Sequence, residues 1–158
     1  MKEYWGDHRA TNASIDANGW MHTGDVGIFD KDGYLSIVGR VKDMINRGGE
    51  KVFPKEIEEY LLRHPKVLNV QVFAYPDERL GEEIFCWIKL KEGQSMEKKE
   101  VLDYCKEQIA HYKIPRYLKF VNDFPITVTG KPQKFKMTES MVEEVKANPK
   151  VIESYRLR

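Results

Sequence analysis

Short apolar runs separated by polar and turn-forming residues set the first reading of the chain. Residues 1 to 22 are polar and irregular, with Trp5 and Trp20 standing out. Val26 to Phe29 and Tyr34 to Val38 then flank Asp30-Lys31-Asp32-Gly33, and an Asp-Gly pair between two such runs predicts a β-hairpin. The stretch from Gly39 to Pro54 predicts a second, smaller hairpin, Val41 to Asn46 and Lys51 to Phe53, around Gly48-Gly49. Pro54 suits the first turn of a helix, where its missing N–H is not needed. Ile57, Tyr60 and Leu61 share one face of that helix, Glu56, Glu58 and Glu59 lie largely on the other, and His64-Pro65 stops it. His64 reads as a helix-end residue rather than a catalyst.

Farther along, valine-rich Val67 to Tyr75 predicts a strand, and Glu83 to Leu90 predicts another with Ile84, Cys86, Ile88 and Leu90 on one face. Between them the turn-rich Pro76 to Gly81 exposes Arg79. A helix is expected from Met96 to Ala110, capped by Ser95 and striped by Val101, Leu102, Cys105 and Ile109. A loop broken by Pro115 leads to a strand over Tyr117 to Val121. A last helix runs from Gln133 to Ala147, and residues 150 to 158 are expected to fray. The order predicts an α+β fold, a small domain with helices packed on a short sheet.

Composition narrows this reading only a little. The 158 residues suit one domain with an appendage, and a net charge of +1 gives no general reason to expect a nucleic acid or an acidic membrane as partner. No apolar run is long enough to span a bilayer. Cys86 and Cys105 have neither metal-site nor disulfide spacing and read as buried reduced thiols, which fits an intracellular, reducing compartment such as cytoplasm or mitochondrion. The N-terminus lacks the apolar core of a secretory signal.

Three short motifs carry candidate chemistry. Asp25, after Thr23-Gly24, could accept hydrogen bonds from both hydroxyls of a ribose, or simply stabilise a turn. Arg40, in Gly39-Arg40, offers a planar fork of donors for ribose or phosphate, or a strand-end salt bridge. Lys131 follows Gly130 in Pro125-Ile126-Thr127-Val128-Thr129-Gly130-Lys131, where a long cation on a mobile loop could meet developing negative charge, or stand as one surface lysine among many.

The ordered trio resembles the adenylate-forming enzymes, a family of acyl-CoA synthetases, luciferases and peptide-synthetase adenylation domains. The resemblance runs from about Tyr4 to Met137 and is to the C-terminal end of such an enzyme. It implies that residues 1–40 are the end of a large N-terminal adenylation domain, with its last hairpin. Residues 41–147 would then be the mobile C-terminal domain, and 148–158 a flexible tail.

It further implies that Asp25 grips the ribose of ATP or AMP, that Arg40 binds the ribose or phosphate region, and that Lys131 catalyses formation of the acyl-adenylate. Lys42 falls at the hinge position about which the small domain swings. The face presented afterwards to coenzyme A includes Gly48, Gly49 and Glu50, and Arg79 and Lys113 match coenzyme A contacts, although solvated surface charge would explain those two cations as well. Pro132 departs from the aliphatic residue that relatives often carry. The Ser/Thr/Gly-rich phosphate loop of the family and an acyl pocket have no counterpart here.

The implied reaction joins a carboxylic acid, expected to be a fatty acid, to coenzyme A with ATP, and with Mg2+ bound together with the large domain, releasing AMP and pyrophosphate. The chain alone is expected to be inactive. A non-catalytic interaction module and an adenylation domain loading a carrier protein are the alternatives. Separation from the large domain should leave the first hairpin's apolar side chains exposed, with self-association as the consequence.

Overall fold

In the computed structural model, residues 1–157 are described, and the chain divides into two compact units, Met1–Lys42 and Asp43–Arg158. The first unit opens with a helix that the polar pattern did not reveal, α1 (His8–Ser14). It forms because Asp7 caps it, accepting a hydrogen bond from the Ala10 amide at 2.8 Å. β1 (Asp25–Phe29) and β2 (Leu35–Arg40) then pair antiparallel as expected, with Asp25 opposite Arg40 and a bulge at Val26/Gly27. Asp30 closes the turn by accepting from the Asp32 and Tyr34 amides, each at 2.9 Å. The hairpin's large apolar side chains are exposed, with Ile28 at 60%, Phe29 at 72%, Tyr34 at 73% and Leu35 at 55% of full accessibility.

The second unit is built on a five-stranded sheet. β3 (Ile45–Arg47) and β4 (Glu50–Val52) form the small hairpin around Gly48-Gly49. α2 (Pro54–Leu61) follows with Pro54 in its first turn. β5 (Val67–Asp77) and β6 (Gly81–Leu90) are longer than the apolar runs alone implied, because their ladder continues through Pro76 to the Asp77–Gly81 pair. α3 (Lys98–Cys105) is shorter than expected at both ends. Glu97, not Ser95, precedes it, and the chain leaves the helix at Lys106, after which Glu107 takes a φ of 62°. Ile109 still packs on the core, but from a turn. β7 (Tyr117–Phe120) joins β6 in parallel, and α4 (Lys134–Ala147) falls where the pattern placed it.

The tail expected to fray does not. Val151–Tyr155 forms a short helix, α5, Tyr155 and Ile152 pack against a buried aromatic cluster, and the Leu157 amide donates to the Arg116 carbonyl at 2.9 Å. Tyr155 also hydrogen-bonds Glu144, which accepts from Lys119 at 2.6 Å.

β6 is the centre of the sheet, paired with β5, β3 and β7. Its two faces feed two cores. Ile84, Cys86 and Ile88 pack with Ile57 and Leu61 of α2 and Val101 and Cys105 of α3. Phe85 and Trp87 pack with Phe73, Tyr117 and the α4 methionines Met137 and Met141. Burial on both sides explains why β6 reads as a continuous apolar run. Both thiols are buried and reduced, and burial pushes Cys105 up to about 11 and Cys86 well above its ordinary range. No helix among the described residues is long and apolar enough to cross a membrane.

Candidate functional site

Antiparallel register, not proximity in sequence, sets Asp25 beside Arg40. The first residue of β1 faces the last of β2, and Arg40 Nε donates to Asp25 Oδ1 at 3.0 Å. The alternative considered for Arg40, a strand-end salt bridge, is therefore present. Its existence does not spend the site: the arginine side chain remains 52% exposed, and the carboxylate is held in one orientation at the mouth of the hairpin. Gly24 precedes the pair at φ 76°, a left-handed turn that directs the chain into β1. Lys42, exposed in the short 3-10 turn Val41–Asp43, is the last residue of the first unit.

Lys131 and the residues matched to coenzyme A all belong to the second unit. Lys131 sits on a tight turn. The Thr127 amide donates to the Lys131 carbonyl at 2.8 Å, the Gly130 amide to the Thr127 carbonyl at 2.9 Å, and the Lys131 amide to Thr127 Oγ1 at 3.0 Å. Ile126 and Pro132 bridge at its base. The expected mobile loop is thus internally tied, and Gly130 serves its φ of 81° rather than looseness. What is free is the Lys131 side chain, which is exposed, beside a Val128 that is also fully exposed. Three residues on, Lys134 ties the start of α4 to Glu58 of α2 at 2.7 Å, and Glu58 also accepts from the Val72 amide at 2.7 Å.

The Gly48-Gly49 turn meets the β5–β6 turn that carries Arg79. The Gly48 amide donates to the Leu80 carbonyl at 2.9 Å, and a Cβ on Gly48 would lie 2.8 Å from Leu80 Cδ2. Gly48 and Gly49 both have positive φ, 60° and 98°, and the Gly49 amide is held by Asn46 Oδ1 at 3.1 Å. On the other turn Asp77 Oδ1 accepts from the Arg79 and Leu80 amides at 3.0 and 2.9 Å, leaving the Arg79 side chain exposed. Glu50 is exposed at the start of β4. Lys113 is less free: its Nζ donates to Glu56 Oε1 at 2.6 Å, and that hydrogen bond raises its pKa against the opposing effect of burial. The bond also ties the segment around Lys113 to the first turn of α2.

Sequence reasoning missed a charged cluster. Glu83 is fully buried, paired with Arg47, whose Nη2 lies 3.3 Å from Glu83 Oε2, while Arg116 Nη1 lies 3.5 Å from the same oxygen. The available signal was phase: Glu83 shares its strand face with Phe85 and Trp87, and a carboxylate there needs a cation. Among the described residues no group of three or more His, Cys, Asp or Glu side chains could hold a metal ion.

Residues 56–131 match the family model described as AMP-binding enzyme C-terminal domain. The chain is 51% identical over 143 residues to YngI of Bacillus subtilis (strain 168), whose name places it with the acyl-CoA synthetases; the match covers 90% of this chain and 26% of that protein. It is 50% identical over 139 residues to the mitochondrial medium-chain acyl-CoA ligase ACSF2 of Danio rerio, covering 88% of this chain and 23% of the relative. The chain thus spans about a quarter of the length of the curated relatives it matches. Among solved structures, the o-succinylbenzoate CoA synthetase MenE of Bacillus subtilis, in complex with its acyl-adenylate intermediate OSB-AMP, superposes with a TM-score of 0.81 at 34% identity, over 87% of this chain and 28% of that one. On sequence and fold together, the chain belongs to the adenylate-forming enzymes and carries their C-terminal domain.

Proposed function

We propose that this chain is the C-terminal part of an ATP-dependent, AMP-forming acyl-CoA synthetase, converting a carboxylic acid, ATP and coenzyme A to acyl-CoA, AMP and pyrophosphate. The observation that carries the proposal is Lys131, an exposed cation that closes a hydrogen-bonded turn just after Gly130, whose left-handed conformation the turn uses. Carboxylate and ATP repel each other, and an ammonium brought onto the phosphate and carboxylate oxygens offsets the charge gathering at the α-phosphate. Asp25, oriented by Arg40, would accept the ribose hydroxyls, and the half-exposed guanidinium would meet ribose or phosphate oxygens.

The rest of the reaction is assigned to the second unit and its hinge. Lys42 stands where the two units meet along the chain, and a swing about it would withdraw Lys131 after adenylation. The face then presented would be Gly48, Gly49 and Glu50, with Arg79 and Lys113 toward the phosphates of coenzyme A. Gly48 and Gly49 have no side chains to obstruct a pantetheine arm. Residues 1–40 would be the end of the large adenylation domain, the necessary partner. Mg2+ would come with the nucleotide and that domain. A fatty acid is the substrate class favoured by similarity to the medium-chain ligase, and the mitochondrial name of that relative favours the same compartment here.

The test mixes this chain with the separately expressed large domain of a related synthetase and follows pyrophosphate release with fatty and aromatic acids. Lys131→Ala is expected to reduce release by about 100-fold or more. Thioester formation from a preformed acyl-adenylate should survive the same substitution. Equal pyrophosphate release by wild type and variant, with binding to the large domain demonstrated, would remove Lys131 from adenylation and favour an interaction module.

A further inference from the structure

Two segments of the second unit that the proposed coenzyme A face requires have little ladder pairing with the main sheet. β3 touches the main sheet through a single register pair, Arg47 with Gly81. The residues just before β7 pass through a 3-10 turn at His111–Lys113 and a stretch containing Pro115 before pairing begins at Tyr117. β6 changes neighbour between these points, from β3 at Gly81 to β7 at Phe85, and Glu83 lies within the changeover.

The geometry points to Glu83 as a positioning residue that couples the Gly48-Gly49 turn to the Lys113–Arg116 segment, through Arg47 on one side and Arg116 on the other. One carboxylate oxygen, Oε2, faces both guanidinium groups, at 3.3 and 3.5 Å, and Oε1 accepts from Arg47 Nε. Arg47 immediately precedes Gly48, and Arg116 lies three residues after Lys113. A fully buried carboxylate with two cations is costly to leave half-paired, so each arginine is constrained to its place by the need of the same anion. Other ties run alongside: the Arg116 amide donates to the Ile84 carbonyl at 3.1 Å, the Gly48 amide to the Leu80 carbonyl at 2.9 Å, and the Asn46 amide to the Glu82 side chain, Oε2, at 2.7 Å. Asn46 is thereby tied to the start of β6 and Gly48 to the turn before it, while Arg47 between them is drawn inward. The arrangement makes the spacing of the two segments a property of one side chain rather than of two independent loops.

This inference rests on the proposed coenzyme A face for its functional meaning, but its structural content can be tested without it. Hydrogen exchange followed by NMR on this chain reads the Gly48 and Arg116 amides, both hydrogen-bonded, against the Cys86 amide in the central strand. In Glu83→Gln and in Arg47→Lys, which keeps the charge but loses the forked geometry, Gly48 and Arg116 should exchange about tenfold faster or more while Cys86 keeps its protection. Arg47→Lys stands in if Glu83→Gln does not fold. Wild-type protection at both amides in a folded variant would overturn the proposal, as would loss at Gly48 with none at Arg116, since coupling requires both.

In the active mixture of this chain with a large domain, Arg47→Lys should raise the KM for coenzyme A by about tenfold and leave pyrophosphate release unchanged. Accelerated exchange without any effect on coenzyme A would retain the positioning role and refute the assignment of this face to coenzyme A. Equal loss in both half-reactions would overturn the positioning role in favour of general destabilisation.

Discussion

His64 shows how a residue's surroundings decide its chemistry. It follows α2, its amide donating to the Leu61 carbonyl at 3.1 Å, and is only 8% exposed. Its Nδ1 accepts from the Lys66 amide at 3.3 Å, its Nε2 lies 3.6 Å from Glu100, and its ring meets Tyr104 edge-on. Burial pushes its pKa below the ordinary value; Glu100 pulls the other way, and Lys66 and Lys91 reinforce the depression. The unfolded chain therefore takes up the proton first, near its pKa of about 6.5. Stability contributed by the neutral imidazole is complete above that value, declines as pH falls through it, and stops declining below the folded-state pKa. Thermal melts between about pH 8 and pH 5 should show this loss, and His64→Gln should flatten that part of the profile. An unchanged slope in the variant would assign the loss to other groups.

At the scale of elements, the C-terminal tail carries the clearest lesson. A place at the end of the chain argues for fraying, yet α5 closes the aromatic core by placing Ile152 and Tyr155 against it. Lys119 lies between the Trp87 and Tyr155 rings, 5.8 and 5.1 Å from their centroids, and pairs with Glu144. Burial favours neutral Glu144, but the hydrogen bonds from Lys119 and Tyr155 outweigh it and hold its pKa below the usual range. Ending the chain at Pro149 should cost about 2 kcal/mol or more through the exposed aromatic surface alone. Urea unfolding followed by tryptophan fluorescence checks this, and an unchanged midpoint would show that α5 adds nothing to the core. α3 teaches the converse: its apolar stripe extends past its end, because Ile109 reaches the same core from a turn.

At the scale of the whole molecule, one unit has two cores and the other exposes its apolar side chains. Trp20, Ile28, Phe29, Tyr34 and Leu35 are each more than half exposed, too much apolar surface on a small hairpin unit to stay indifferent to concentration. Light scattering should show concentration-dependent association of the isolated chain, weakened by the double substitution Phe29→Ser and Leu35→Ser. A monodisperse monomer at about millimolar concentration would rule it out. Addition of the large domain should compete with this association if residues 1–40 pack on it.

The sequence by itself determined the local signals: the Asp30–Gly33 turn, Pro54 opening α2, the extent of α4, the apolar phase of β6, and the Thr-Gly-Lys motif with its required glycine. These depend on residues a few positions apart, whose conformational preferences act before any tertiary contact forms. The turn alone sets Asp25 opposite Gly39; the bulge at Val26/Gly27 shifts the register by one and brings Asp25 opposite Arg40, so that pairing was decided by the folded hairpin. Only the tertiary structure decided where α3 ends, that residues 151–155 form a helix, and that Glu83 joins Arg47 to Arg116 across positions 36 and 33 residues distant. The physical reason is the same in each case. Core packing and the pairing of a buried charge depend on side chains brought from separate strands, and nothing in the local pattern of a segment records the partner that will complete it.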